Sequence, residues 1–426
     1  MISPDVLRQR RRAVALVAAA ALLSATAVVL LVWPAQGFVN TSADPYHYLR
    51  IAREFLCGGD AAHHLSKRSA SLYPMVIAAV FRIAGDHPAL IIALQCIAFA
   101  ATCALTCDIG TRVFNLRTGV IAGFLLAFNP VPLRYIGDLQ METMLAAAVT
   151  LSVWTIVRLV ERPTLGASVL AGAAATVAGL TKGVGFVPGA ALGAYLLWRR
   201  ARARDESGAG LVPLRYLALV AATVLILVAP WALRNYRLTG GEVVPIAPGI
   251  NDAFLRGYVF SRAEYALLRR PPYIDAENEV NAWLADLCQR AGAQFGEDEV
   301  RDERIFAAEA KRLILQDPAA TLQKFVVGLA TFWYEMTTPF TSAVAGGLAL
   351  SAAVLASAGW RRSRSEGRAA WLLVVPIGSM NVFVAALCSL GRYSVPVVPC
   401  LVVLAAFGID TLWRNAADHR RNAIDP

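Results

Sequence analysis

Six ionisable side chains stand at the edges of long apolar runs: Asp44, Asp138, Glu142, Lys182, Arg234 and Arg392. Asp44 lies in Ala43-Asp44-Pro45-Tyr46-His47, Asp138 and Glu142 in Gly137-Asp138-Leu139-Gln140-Met141-Glu142, and Lys182 in Thr181-Lys182-Gly183. Arg234 follows Pro230-Trp231-Ala232-Leu233, and Arg392 opens Arg392-Tyr393-Ser394-Val395-Pro396. Charges this close to hydrocarbon are costly and mark functional candidates. Carboxylates can take a proton from a hydroxyl or hold a divalent cation. Lys and Arg can bind a phosphate and stabilise it as a leaving group. A donor with its phosphate at headgroup depth and its lipid tail between helices needs both sets.

The elements that must carry these residues are membrane helices. The chain is 57% hydrophobic and 16% charged, against about 45–50% and 25% for soluble domains. The excess falls in spans of roughly 13–33, 89–109, 118–136, 140–158, 165–181, 183–198, 212–233, 341–359, 370–388 and 393–412, each near bilayer length. Segments 72–84 and 322–336 are shorter and read as interfacial. With Arg8–Arg12 inside and these two segments not spanning, the clusters at Arg112/Arg117, Arg158/Arg162, Arg199–Arg204, Arg361–Arg368 and Arg414–Arg421 all fall inside. All six candidates then sit at outer helix ends. The net charge of +10 thus belongs to short loops, which speaks against nucleic acid. The N-terminal apolar stretch is long for a signal peptide and reads as a retained first helix.

The expected architecture is therefore an all-α polytopic membrane protein. About ten transmembrane helices are joined by interfacial helices and a small external helical cap. The expected divisions are an N-terminal transmembrane module 1–233 with a first external loop at about 34–88, a cap 234–322, and a C-terminal module 323–426. Between Arg237 and Asp317 the cap has 14 acidic and 10 basic residues, a mixed-charge surface rather than a basic patch. No long-period repeat or separate soluble domain is evident. The expected location is the plasma (inner) membrane, with both termini cytoplasmic and the candidate site extracytoplasmic.

The stretch Ala43-Asp44-Pro45-Tyr46-His47-Tyr48-Leu49-Arg50 resembles the first-loop motif of the GT-C glycosyltransferases, in particular the bacterial family-39 branch. That branch includes protein O-mannosyltransferases and lipid A aminoarabinose transferases. Leu72-Tyr73-Pro74, Asn129-Pro130, Met141-Glu142-Thr143, Thr181-Lys182-Gly183, Pro230–Tyr236 and Arg392–Pro396 recur in the same order and topological places. The resemblance implies an inverting sugar transfer from a polyprenyl-phosphate donor to a glycan, lipid or protein acceptor. It implies Asp44 as the base, and Glu142 and Asp138 as second-loop acids helping the acceptor or a metal. Lys182, Arg234 and Arg392 are implied as contacts to the phosphate, and Tyr393 is a further substrate-binding candidate. Arg68 and His47 are further substrate-binding candidates. Pro45 stands where many relatives have a second acid, so a divalent cation stays open.

Plainer readings stand beside these. Asp44 with Pro45 also fits a helix N-terminus. Lys182, Arg234 and Arg392 also fit cations snorkelling to headgroups. His47 fits a structural role, and the adjacent His63 and His64 cannot converge on one helix face. Tyr46, Tyr48, Trp333 and Tyr334 read as an aromatic belt. Whether Cys57 and Cys288 pair is open. A secondary transporter or a non-catalytic scaffold of an envelope assembly system are the rival functions. Against a transporter, the charges sit at helix ends and no internal repeat is present.

Overall fold

The structure, a computed structural model, describes residues 4–32, 43–57, 72–202, 211–238, 241, 249–270 and 274–424. Arg68, His63 and His64 lie outside them. The described elements are helical: α1 Pro4–Val32, α2 Ala43–Leu56, α3 Leu72–Ala84, α4 Pro88–Val113, α5 Leu116–Ala127, α6 Pro130–Arg134, α7 Glu142–Glu161, α8 Leu165–Thr181 and α9 Phe186–Arg202. They continue as α10 Leu214–Leu238, α11 Ile250–Phe260, α12 Ala263–Ala266, α13 Ile274–Arg290, α14 Glu299–Gln316, α15 Pro318–Tyr334, α16 Pro339–Ser365, α17 Trp371–Ala386 and α18 Val398–Ile424. Two 3₁₀ segments, Gly183–Gly185 and Gly391–Val397, precede α9 and α18.

Among the described residues, seven helices have the length and apolarity to cross a bilayer: Pro4–Val32, Pro88–Val113, Leu116–Arg134, Glu142–Glu161, Leu214–Arg237, Pro339–Ser365 and Gly391–Ala417. The chain is a multi-pass membrane protein. The apolar helices α8 and α17, expected to span, have 17 and 16 residues, near the lower limit of about 17 for crossing.

Local sequence sets where the helices start. Asn115 accepts from Thr118 N, Asn129 from Val131 N with Pro130 at the first turn, and Thr164 from Ala167 N. Thr338 and Thr341 form a reciprocal cap ahead of Pro339. Close crossings rely on small residues. Gly359 on α16 faces the Leu404 carbonyl, and Gly408 on α18 faces that of Leu355, so a Cβ at either would strike backbone.

Contacts define two ends of the bundle. At one end Arg10 and Arg112 both bind Asp108, to which Trp154 Nε1 donates at 2.7 Å, and Arg112 also binds Glu161. Arg117 and Arg414 flank Asp410 there, and Arg368 donates to the Phe114 carbonyl. This basic end gathers arginines from the loops that the charge pattern assigned to one side. The helix ends carrying the candidate residues form the other end.

There α2 and α3 pack together, and α11–α14 build a cap around Leu255, Val259, Tyr265, Leu284 and Phe306. Cys288 lies in that core and donates to Asp302, while Cys57 is exposed, and the two form no disulfide. The α15 segment, read as lying at the interface, carries a buried lysine. Lys324 Nζ donates to the Ala386 carbonyl at 2.8 Å and sits 4.4 Å from the Phe254 ring centre. It thereby joins α11, α15 and the end of α17. Burial pulls its ammonium down to about 8.

Candidate active site

Each candidate comes from a chain reversal at the site end. Asp44 is in the first turn of α2, which starts at Ala43. Asp138 sits in the turn between α6 and α7, closed by Gln140 N donating to the Asp138 carbonyl at 2.7 Å. Glu142 is the first residue of α7. Lys182 ends α8 in an extended conformation, ahead of the Gly183–Gly185 turn. Arg392 and Tyr393 lie in the 3₁₀ segment before α18.

The structure brings most of these together. Arg392 Nη1 donates to Asp44 Oδ2 at 3.0 Å. Lys182 Nζ donates to Glu142 Oε1 at 3.2 Å and lies 4.4 Å from the Tyr393 ring centre. Arg392 also lies over this ring, 5.2 Å from its centre, so the Tyr393 π-system faces both cations. Glu142 is almost fully buried and Lys182 half-buried. His47 faces the cluster from α2 and adds positive potential at Asp44.

Two carboxyls respond in opposite ways. Burial of Asp44 would raise its affinity for a proton, but the charges of Arg392 and Lys182, the Arg392 hydrogen bond and His47 outweigh it and hold the carboxyl below its ordinary range. Asp138 is 6% exposed. Burial first, then the neighbouring charges of Glu142 and Asp44, push it up to about 6, with Arg134 and Arg392 opposing. Its Oδ1 has no hydrogen-bond partner among the described residues.

Four residues that sequence reasoning did not single out as site residues frame the cluster. Gln95, fully buried in α4, donates to the carbonyls of Ile136 and Asp138 at 2.7 and 2.9 Å and accepts from Tyr73 at 2.8 Å. It fixes the turn that carries Asp138. A lone amide in the apolar run Ile91–Ala101 was the available signal. Tyr48 packs edge-on to Tyr73 at 5.4 Å and is buried, so it is no belt residue. Burial first, and then the neighbouring carboxyl groups, push both phenols well above their ordinary value. Glu335, at the end of α15, is 2% exposed, and neither carboxyl oxygen has a partner among the described residues. Its carbonyl accepts from Gly391 N at 2.7 Å, one residue before Arg392.

Of the remaining expectations, Arg234 stands apart: it donates to Asn235 Oδ1 at 3.0 Å and lies over Trp231. Trp333 packs into the core beside Phe332, and Tyr334 donates to the Ala266 carbonyl, tying α15 to the cap, so neither forms a belt. Tyr46 is exposed. Among the described residues no three His, Cys, Asp or Glu side chains gather as metal ligands. Asp44 and Glu142 each face a cation of the protein, so the described donor set does not fit a divalent ion.

Beside Lys182 and Tyr393 opens a cavity of about 340 Å³, with walls that include Phe186, Ile250, Phe383 and Leu387. It has a cationic, aromatic head and an apolar body, the shape needed for an amphiphile with an anionic head.

Residues 69–233 match the sequence family described as dolichyl-phosphate-mannose-protein mannosyltransferase. The whole chain superposes on oligosaccharyltransferase from Archaeoglobus fulgidus (TM-score 0.57, 15% identity), covering 96% of this chain and 52% of that one. Apo ArnT from Cupriavidus metallidurans gives a TM-score of 0.51 at 19% identity, over 87% and 55%. The fold is that of the GT-C glycosyltransferases. AglB of Archaeoglobus fulgidus, solved with an inhibitory peptide and a dolichol-phosphate, shares this GT-C fold with a TM-score of 0.53 at 14% identity, over 97% and 52%. The chain spans about half the length of these GT-C structures. No curated protein sequence matches it.

Proposed function

We propose that this GT-C chain transfers a sugar from a polyprenyl-phosphate donor to an acceptor hydroxyl at the site end of the bundle, with inversion. The observation that carries the reading is the convergence of Asp44, Glu142, Lys182, Arg392 and Tyr393 at the head of an apolar cavity. The polyprenyl chain lies in that cavity and its phosphate meets Lys182 and Arg392. The acceptor oxygen attacks the anomeric carbon from the opposite face and a new C–O bond forms. The bond from that carbon to the phosphate oxygen breaks, and its electron pair leaves with the lipid phosphate, where the two cations stabilise it. The hydroxyl proton passes to Asp44. Asp44 suits this role because it lies at the cluster against Arg392 and is held ionised. Ionised Asp138 strengthens Asp44 as a base by adding negative charge beside it. Arg234 and Arg68 are assigned substrate contacts only through the family likeness.

Both termini lie on the cytoplasmic side in this proposal and the site opens outward, following the arginine distribution. In a Cys57→Ala background, cysteines at the exposed positions Tyr46 and Arg361 then react with impermeant reagent from opposite sides of sealed vesicles. Equal accessibility defeats the orientation.

The function is tested by incubating the purified chain in vesicles with a panel of polyprenyl-phosphate sugars. Wild type is expected to release polyprenyl phosphate from at least one donor. Asp44→Asn is expected to lose about 10³-fold in kcat, within the range for removing a general base. If no donor is consumed, or both proteins behave alike, the reading fails.

A further inference from the structure

A second groove opens at the same end of the bundle. It holds about 250 Å³ between the ends of α1 and α6 and the start of α16, with Val28, Val32, Val131, Arg134, Phe340 and Val344 among its walls. Phe340 is 77% exposed, and all three helices meet where their apolar runs end. Apart from Arg134 and Thr341, its described walls are apolar.

Two connections lead from the groove to the reacting cluster. Arg134 lies close enough for its charge to act on Asp138, whose Oδ1 is buried and unpartnered. Arg134 itself is exposed and donates one hydrogen bond, from Nη2 to Thr337 Oγ1 at 3.2 Å. Met336 is part of the groove's wall and accepts from the buried Tyr135 hydroxyl, while the preceding Glu335 carbonyl holds Gly391 N, next to Arg392. The Lys182 cavity and this groove therefore approach one cluster from two directions.

We infer that the groove between α1, α6 and α16 seats the lipid chain of the acceptor, so that the acceptor is an anionic, hydroxyl-bearing membrane amphiphile. The inference rests on the glycosyltransfer reading above. The walls argue for this occupant: a polar peptide gains nothing from Val28, Val32, Phe340 and Val344, whereas a hydrocarbon chain does. Arg134 matches an anionic headgroup at the same depth. A head group held there carries its hydroxyl toward Asp138 and Asp44, opposite the phosphate held by Lys182. That is the approach an inverting displacement requires.

The test uses the full chain in phosphatidylcholine vesicles containing a trace of phosphatidylglycerol with a photoactivatable acyl chain. Labelling at Val131 and Val344 is expected to exceed that at the lipid-exposed Leu225 and Ile226 of α10 by about five-fold, the preference one cation gives an anionic lipid. Arg134→Gln is expected to erase the excess and Arg134→Lys to keep it. Uniform labelling, or labelling indifferent to Arg134, overturns the groove. In vesicles of total polar lipid from the source cells, sugar label is expected in lipid. Val344→Trp is expected to cut this transfer about ten-fold while hydrolysis of the donor by water persists. Label recovered in protein overturns the lipid acceptor and spares the glycosyltransfer reading. If no donor is consumed while Arg134-dependent labelling stands, the glycosyltransfer reading fails and the acceptor role falls with it.

Discussion

The two ends of the bundle treat buried carboxylates differently. At the basic end Asp108 and Asp410 each meet two arginines, and Trp154 or Asn115 adds a hydrogen bond. At the site end Asp138 lies near two further carboxylates with one oxygen unpartnered, and Glu335 has no partner for either oxygen among the described residues. A buried carboxylate without a counter-charge costs free energy. The first arrangement serves to hold helices together. The second leaves buried carboxylates incompletely satisfied beside the candidate site.

Single substitutions separate the two cases, and the largest effect on stability is expected at the basic end. Asp108→Asn leaves Arg10 and Arg112 without their shared carboxylate and is expected to destabilise the fold by about 3 kcal/mol, a more than hundred-fold change in the folding constant. Thermal unfolding in detergent should show it, with the pH profile of the remaining activity unchanged. Lys182→Met removes the cation nearest the cavity head and is expected to lower kcat about 100-fold. A rise in KM alone, with kcat intact, would mean that Lys182 binds the ground state only.

Asp138→Asn is expected to lower turnover about ten-fold at pH 8, less than the roughly 10²–10⁴-fold range of a group that itself transfers the proton, because Asp138 acts only through Asp44. Wild-type activity should fall as pH drops through about 6, because protonating Asp138 removes the charge that strengthens Asp44. The Asn variant resembles the protonated form at every pH and should lack that limb. Stability moves the other way. The folded pKa lies above the ordinary 3.8, so ionisation disfavours the fold as pH rises from about 4 to 6, by up to about 3 kcal/mol. Asn removes that penalty, and the variant should unfold at a higher temperature at neutral pH. A lower unfolding temperature would mean that Asp138 is structural. Arg234→Ala, outside the cluster, is expected to change turnover less than about three-fold, the scale of a substitution away from such features. A larger loss would extend the donor site to α10.

The sequence made the ends legible because the arginine clusters and helix-terminal acids alternate along the chain, and alternation is a one-dimensional signal. Asp44, Glu142, Lys182 and Arg392 sit at such boundaries, and the structure gathers them. Arg234 also sits at a boundary, yet its helix turns it onto Trp231 and Asn235. Boundary position fixes depth, but azimuth around the bundle depends on packing partners far away in sequence. The Gln95 link to Tyr73 and the Asp138 turn was hidden for the same reason: its three parts come from separate segments. Tyr48 and Trp333 were misread because an aromatic near a helix end faces headgroups or core according to the neighbour it finds.

Lys324 limits how this protein can change its diet. Its ammonium joins α11 to the last carbonyls of α17, two elements that also line the Lys182 cavity. Gly257 lets α11 press against the Leu387 carbonyl with no room for a side chain. Prising that wall outward would expose a charge to an apolar seam, so the cavity cannot widen there by gradual drift. Variants whose cavity admits a bulkier occupant should instead trim Phe186 or Phe383, leaving the clasp untouched.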